Sequence, residues 1–180
     1  MTEALPAFRY HPDPRATGSV VPTEDACGVC GARRGLRYEG PVYAEADDEP
    51  VVCPWCIADG SAAEALGAEF TDVGTEVPPG VPDEVLAAVA RRTPGFSGWQ
   101  QDHWLFHCGD AAAFLGPAGR AELDRHPDAL EALRREGADR GWDAAQTADY
   151  LRALGRDDPP TAYLFACLHC RAHLAYTDAP

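Results

Sequence analysis

Apolar residues recur at helical spacing in the middle of the chain. Val85, Leu86 and Val89 fall on one face of a helix that begins at Pro82, a residue well suited to the first helical position. Thr93-Pro94-Gly95 ends this helix, because proline and glycine both interrupt helical hydrogen bonding.

Two further helices are predicted downstream. One spans 127–137 and turns Leu130 and Leu133 inward. The other begins at Asp143, which forms a capping-box arrangement with Gln146 and thereby marks a helix that ends near residue 154.

Aromatic and β-branched residues predict strands towards both ends of the chain. Residues 36–44 are typical of a strand interrupted at Gly40-Pro41, and residues 163–176 are typical of a strand, a turn and a second strand. The aromatic stretch 96–108 is assigned to the core, and the Pro-rich first 25 residues to an extended arm. Three shorter assignments complete the pattern: an acidic turn over 45–49, a short helix over 57–66 and a loop over 71–80.

These elements indicate a small α+β fold in a single domain covering 1–180, since 180 residues is the usual length of one domain. Within it we expect an N-terminal zinc-binding hairpin over 20–66, of zinc-ribbon or treble-clef type. A helical insert over 82–155 and a C-terminal Cys-x-x-Cys hairpin over 161–178 follow.

The charge balance of the chain argues against anionic partners. Fifteen basic residues, all of them Arg, face 29 acidic residues, and the net charge is −14. So acidic a surface repels phosphate backbones and anionic membranes, and we therefore expect neither a nucleic-acid partner nor a membrane surface.

No segment predicts membrane insertion or export. The longest apolar run, Ala162 to Leu168, has seven residues, whereas a bilayer-spanning helix needs about twenty. The N-terminus lacks the basic and apolar regions of a signal peptide, so we expect a cytoplasmic protein. In that compartment closely spaced cysteines indicate metal or redox sites before disulfides.

Six of the seven cysteines form three Cys-x-x-Cys pairs. Cys27 and Cys30 are separated from Cys53 and Cys56 by 22 residues, which we expect to form a β-hairpin. Two such pairs supply the four thiolates of a tetrahedral zinc ion, and this spacing is usual for structural zinc sites. The sequence therefore predicts one structural zinc held by these four residues.

The third pair, Cys167 and Cys170, needs ligands from elsewhere. Cys108 is the remaining cysteine, and His107 beside it is the favoured fourth ligand. The side chains of neighbouring residues on a strand point in opposite directions. This argues against His107 and Cys108 binding the same ion and leaves three other histidines as alternative ligands. These are His103, His169 and His173. One or two zinc ions are thus expected, and a single ion with the last pair reduced and buried remains open.

Other chemistries of cysteine and histidine fit less well. Cys53-Pro54-Trp55-Cys56 could act as a thioredoxin-like redox motif, but no β-α-β pattern precedes it. The zinc-deaminase pattern H-x-E with P-C-x-x-C and the metalloprotease pattern H-E-x-x-H are both absent from the sequence.

Single residues outside the cysteine pairs give weaker signals. His11, flanked by Pro12, is a candidate ligand or acid-base group but is expected to be exposed, and His126 is expected at a helix cap. Trp99 and Trp104 are most simply core residues, although a binding groove lined by both is an alternative.

Several short segments together resemble a known bacterial family. They are residues 8–14, 16–18, 40–43, 53–63, 92–95, 99–100, 107–108 and 167–170, of which 53–63 (CPWCIADGSAA) is the most specific. In these segments the chain is similar to the three-Cys-x-x-Cys family named after CbrC, a colicin tolerance protein. The resemblance implies that all three pairs belong to one fold, and it carries no catalytic activity. Similar chains often have Gly after the last cysteine, where this chain has Arg171.

The function expected from these patterns is non-enzymatic. A cytoplasmic zinc protein with an acidic surface suits a basic protein partner, and the tolerance phenotype implied by the resemblance agrees, because nuclease toxins have basic surfaces. The alternatives are a zinc enzyme with an open position at Cys108, Cys167 and Cys170, and a thiol redox protein. A count of the protein ligands at the second site discriminates between the first two.

Overall fold

The computed structural model describes residues 3–44, 50–74 and 77–180. Within them the chain forms a mixed α+β fold with small antiparallel sheets, in agreement with the class expected from the sequence. The acidic turn expected over 45–49 lies outside the described residues, as do 75 and 76 of the expected loop.

The N-terminal part contains one small sheet and three helices. Strands β1 (Val20–Pro22) and β2 (Leu36–Tyr38) pair antiparallel, with Val20 opposite Tyr38. The helices that follow are α1 (Pro54–Asp59), α2 (Ser61–Leu66) and α3 (Asp83–Arg92). The apolar side chains of α1 and α2 pack with those of neighbouring segments into one cluster, in which Ile57, Ala62 and Phe70 are fully buried, whereas Val89 of α3 belongs to a second cluster.

The C-terminal part is built on a three-stranded sheet. Strands β5 (Ala113–Ala118), β6 (Thr161–Ala166) and β7 (His173–Asp178) pair antiparallel in that order. A short hairpin, β3 (Phe106–His107) and β4 (Asp110–Ala111), precedes the sheet. Helices α4 (Arg120–Leu123), α5 (Pro127–Asp139) and α6 (Ala144–Ala153) connect β5 to β6 and cover one face through a cluster that includes Leu123 and Leu133.

Most predicted elements are confirmed. Helix α3 follows Pro82, α5 begins at Pro127, and Asp143 caps α6 by accepting the backbone N–H of Gln146 at 2.8 Å. The expected helix over 57–66 begins earlier, at Pro54, and divides at Gly60, whose φ of 87° cannot continue a helix.

Three expectations need correction. The described residues between the two cysteine pairs do not form a hairpin. Strand β2 lies between the pairs, but its partner β1 precedes Cys27 in the sequence. The region 82–155, expected as a helical insert, also contains the three strands β3, β4 and β5. In the aromatic stretch 96–108, which was expected to lie in the core, Trp99 is 44% exposed, although its indole N–H donates to the hydroxyl of the buried Thr161 at 3.0 Å.

Across the described ranges, none of the helices has the length and apolar character needed to span a bilayer.

Candidate metal centres

The first cysteine pair lies on a turn that follows β1. The N–H of Cys27 donates to the carbonyl of Ala32 at 2.9 Å, and the N–H of Gly31 donates to the carbonyl of Cys27 at 2.8 Å. Gly31 closes this turn with a φ of 70°, a conformation that glycine adopts at no steric cost. The turn brings the sulfurs of Cys27 and Cys30 to the same side.

The second pair lies at the start of α1. Cys53 is the N-cap residue and Cys56 falls in the first turn, so both sulfurs lie at the end of the helix where backbone N–H groups are free. The N–H of Cys53 points at the sulfur of Cys27, 3.3 Å away. This contact joins the helix to the turn of the first pair.

The four sulfurs have the spacing of a tetrahedral metal site. The distances are 3.9 Å from Cys27 Sγ to Cys56 Sγ, 3.9 Å from Cys30 Sγ to Cys53 Sγ and 3.5 Å from Cys53 Sγ to Cys56 Sγ. A tetrahedral zinc with Zn–S bonds of about 2.3 Å places its sulfurs about 3.8 Å apart. The residues predicted to share one ion are therefore together and correctly spaced to hold it.

Burial and backbone hydrogen bonding act in opposite directions on the thiols of this site. Burial raises the pKa of Cys27, but the backbone N–H groups of Cys30, Cys53 and Val29 outweigh it and lower that pKa to about 7. Burial raises the pKa of Cys53 and Cys56. A cation at the centre would favour the ionised form of all four sulfurs.

A second cluster brings together His107, Cys108, Cys167 and Cys170, whose ligand atoms all lie within 4.8 Å of one another. His107 Nδ1 is 3.2 Å from Cys108 Sγ and 3.4 Å from Cys170 Sγ. A tetrahedral ion with typical Zn–N and Zn–S bonds places such a pair about 3.5 Å apart, so this set also fits zinc.

The turn between β3 and β4 removes the objection to His107. Cys108 and Gly109 are its two central residues and both have positive φ, 54° and 73°, as in the turns that join tight hairpins. Cys108 is therefore not on a strand beside His107. The left-handed turn directs its sulfur to the same side as the His107 ring, which the alternation rule for strands did not anticipate.

The turn of Cys167 and Cys170 repeats the geometry of the first pair. The N–H of Cys167 donates to the carbonyl of Ala172 at 2.8 Å, and the N–H of Arg171 donates to the carbonyl of Cys167 at 3.2 Å. Arg171 takes a φ of 66°, close to the 70° of Gly31. The turn forms although Arg occupies the position at which glycine is expected.

The three alternative histidines have other roles. The backbone N–H of His103 donates to the Tyr176 hydroxyl, His169 Nε2 donates to Asp110, and His173 Nδ1 lies 3.3 Å from Asp128. None of the three belongs to a ligand cluster in the described part of the chain.

Asp110 supports the second cluster and was not singled out from the sequence. This buried carboxylate accepts hydrogen bonds from four groups: Arg9 Nη2 at 2.6 Å, Tyr10 Oη, the Ala111 N–H and His169 Nε2 at 2.9 Å each. It thereby ties the N-terminal arm and the turn of the third pair to the β3–β4 hairpin. The only sequence signal was its place beside the Cys108-Gly109 turn, since its partners come from distant segments.

His11 is buried rather than exposed, contrary to expectation. Its Nδ1 lies 2.7 Å from the Pro94 carbonyl, which can only accept, so Nδ1 carries the proton and Nε2 accepts from the Thr17 hydroxyl at 2.7 Å. Burial lowers the pKa of His11 to about 4. His11 thus anchors the N-terminal arm to the loop after α3 and takes no part in either metal cluster.

The remaining singled-out residues are separated from one another. His126 is the N-cap residue of α5, as expected, but its side chain makes no capping hydrogen bond. Trp104 is buried and lines a cavity, whereas Trp99 does not line it, so the groove walled by both is not formed by the described residues.

Comparison with known proteins places the chain in a family. The family model described as "Uncharacterised protein family (UPF0167)" matches residues 5–179. A UPF0167 protein of Mycobacterium bovis is 53% identical over 176 residues, covering 98% of this chain and 94% of its own length. A UPF0167 protein of Pseudomonas aeruginosa is 42% identical over 175 residues, covering 96% and 97%.

No solved structure matches the chain. The CbrC name and the colicin tolerance that the sequence resemblance implied do not appear in these comparisons. The match over 5–179 includes all seven cysteines and His107, and the chain belongs to the uncharacterised protein family UPF0167.

Proposed function

We propose that this protein is a cytoplasmic, non-catalytic binding protein in which two zinc ions hold the fold and an acidic surface receives a basic protein partner. The observation that carries the proposal is the presence of two complete four-ligand sets. Each ion would have all four tetrahedral positions taken by protein, as in structural zinc sites, whereas a catalytic zinc keeps one position for water or substrate.

The first set supports a treble-clef-like arrangement. One cysteine pair lies on a tight turn and the other at the start of a helix, and three of the four sulfurs belong to buried residues. So small a unit has little apolar core of its own. The ion would then stabilise it, since structural zinc supplies much of the folding free energy of such units.

The second set is the place where an enzyme would differ. His107 completes the ligands that Cys108, Cys167 and Cys170 begin, and this argues against the open position that the enzymatic alternative requires. A redox role for Cys53 and Cys56 is likewise disfavoured, because both sulfurs are in contact range of a second cysteine pair.

Charge supports the choice of partner. Bound as proposed, a four-thiolate zinc carries two negative charges and a three-thiolate zinc with neutral histidine carries one, and both add to the −14 of the chain. A basic protein would be steered to this surface, mainly through a faster association rate. Following the family resemblance noted in the sequence, we include basic nuclease toxins of the colicin type among such partners.

The test has a metal arm and a binding arm. Elemental analysis of the purified, reduced protein should find two zinc ions per chain, and fewer than one would contradict the structural role. Titration with a colicin-type nuclease domain should show binding that weakens steeply between about 50 and 200 mM salt. The same domain neutralised by a bound acidic inhibitor is the control. Absence of binding at low salt would reject the basic partner.

A third arm addresses catalysis. The zinc-loaded protein should not hydrolyse generic ester, amide, phosphate or nucleoside substrates. Zinc-dependent turnover that disappears in Cys108→Ser while the first ion is retained would establish the enzymatic alternative instead.

A further inference from the structure

A cavity separate from both cysteine clusters lies beside the stretch that leads into β3. It has a volume of about 640 Å³, within the range of small-molecule sites. The residues that matter for its chemistry are Asp72, Gln101, Asp102, Trp104 and Phe106.

Asp102 is a buried carboxylate with half of its hydrogen-bonding capacity unused. The residue is 4% exposed, and its Oδ1 accepts the hydroxyl of Tyr43 at 2.5 Å. Its Oδ2 is buried and has no hydrogen-bond partner among the described residues. Leaving a buried carboxylate oxygen without a donor is costly, so such a group indicates a missing partner.

The other acidic residue of the cavity is already satisfied. Asp72 accepts the backbone N–H of Gly74 at 2.8 Å on Oδ1 and the side-chain amide of Gln101 on Oδ2. Of the two carboxylates, only that of Asp102 therefore has an oxygen without a hydrogen-bond donor. Asp72 adds a second negative charge to the same wall.

No Lys or Arg lies among the described lining residues, and the one basic side chain there is that of His103. Burial raises the pKa of Asp102, and the Tyr43 hydrogen bond opposes that rise. A cation in the cavity would favour the ionised carboxylate and supply the absent donor at once.

Aromatic side chains provide the remaining surface. The indole N–H of Trp104 donates to the Ala112 carbonyl at 3.0 Å, so its side chain offers the cavity only apolar contact. Phe106, half-buried, lies in the same wall. Aromatic rings next to carboxylates are favourable surroundings for organic cations.

We propose that this cavity binds an organic cation with N–H donors, an alkylammonium or guanidinium group, and that Asp102 is its counter-ion. The cation can come from a free amine or from the Lys or Arg side chain of a protein. The proposal is independent of metal binding, because none of the eight predicted ligands lines the cavity.

The experiment is an NMR titration of the full zinc-loaded chain. The probes are putrescine, N-acetyl-arginine amide and a capped Gly-Arg-Gly peptide, with N-acetyl-citrulline amide as the uncharged match for arginine. We expect shifts confined to the amides of 72–74 and 101–106 and to the Trp104 indole, and at least tenfold weaker binding of citrulline. A peptide that binds as well as putrescine assigns the site to a protein side chain, and putrescine alone assigns it to a free amine.

Two variants with the same change of charge separate the site from the general acidity of the chain. Asp102→Asn keeps the size of the side chain and should weaken cation binding at least tenfold. Asp157→Asn, at an exposed position outside the cavity, should leave it within twofold. Equal affinities for both variants, equal binding of citrulline, or shifts spread over the whole surface would overturn the proposal. The shift map of the unaltered protein decides the matter even where Asp102→Asn does not fold.

Discussion

Arg171 adopts a strained backbone conformation in the turn that carries Cys167 and Cys170. Its φ of 66° lies in the left-handed region, which costs a non-glycine residue roughly 1–2 kcal/mol. Glycine avoids this cost but loses more freedom on folding. Arg171→Gly should therefore raise the free energy of unfolding by about 1 kcal/mol, measured by urea denaturation of the zinc-loaded protein.

The equivalent position of the first turn provides the control for Arg171. Gly31 has a φ of 70° and open space around its Cα, so Gly31→Arg introduces the same conformational cost without a clash. We expect Gly31→Arg to lower the free energy of unfolding by about 1 kcal/mol. Opposite signs for the two exchanges support the account, and an unchanged or lower stability for Arg171→Gly contradicts it.

His11 makes stability depend on pH. Because burial lowers the pKa of His11 to about 4, against about 6.5 when unfolded, only the unfolded chain takes up a proton between these values. His11 therefore makes its full contribution to the free energy of unfolding above pH 6.5. That contribution falls by about 3 kcal/mol as the pH drops to 4.

The difference in unfolding free energy between the parent protein and His11→Gln isolates this effect, because contributions of the metal sites cancel. That difference should shrink as the pH falls from 6.5 to 4, and the ring resonances of His11 should titrate near pH 4. Titration of the ring near 6.5 would show that His11 is not buried as a neutral group.

At the scale of elements, the β3–β4 turn combines two roles in Cys108. It supplies a sulfur and adopts the left-handed conformation that asparagine followed by glycine favours in such turns. Cys108→Asn should thus keep the hairpin and remove only the ligand. We expect elemental analysis to find one zinc per chain instead of two, with cross-strand contacts between Phe106 and Ala111 retained in NMR spectra. Two retained ions would exclude Cys108 as a ligand.

On the scale of the whole molecule, the two proposed ions differ in accessibility. Cys27, Cys53 and Cys56 are buried at the first site, whereas Cys108 and Cys170 are exposed at the second. A chromogenic zinc chelator should consequently remove one ion quickly and the other slowly. Cys108→Asn should lose the fast phase alone, while Cys56→Ser should lose the slow phase and unfold the N-terminal part. A single phase for both ions would contradict the assignment of a largely buried first site and a more exposed second site.

Much of this organisation was predictable from local sequence. The capping box of Asp143, the proline before α3 and the apolar spacing of the helices act through neighbouring residues, and so the sequence alone determined those elements. The same holds for the first cysteine cluster, since two Cys-x-x-Cys pairs supply every ligand that tetrahedral zinc requires.

Contacts between distant segments required the tertiary structure. Asp110 draws its donors from residues 9, 10 and 169, and Asp102 meets Tyr43 across 59 positions, which no local pattern encodes. The sequence favoured His107 but left three other histidines as alternatives, and the structure groups His107 alone of these four with Cys108, Cys167 and Cys170. Local periodicity and cysteine spacing therefore determined the elements and the first cluster, while long-range packing decided which histidine lies beside Cys167 and Cys170, the burial of His11 and the cavity at Asp102.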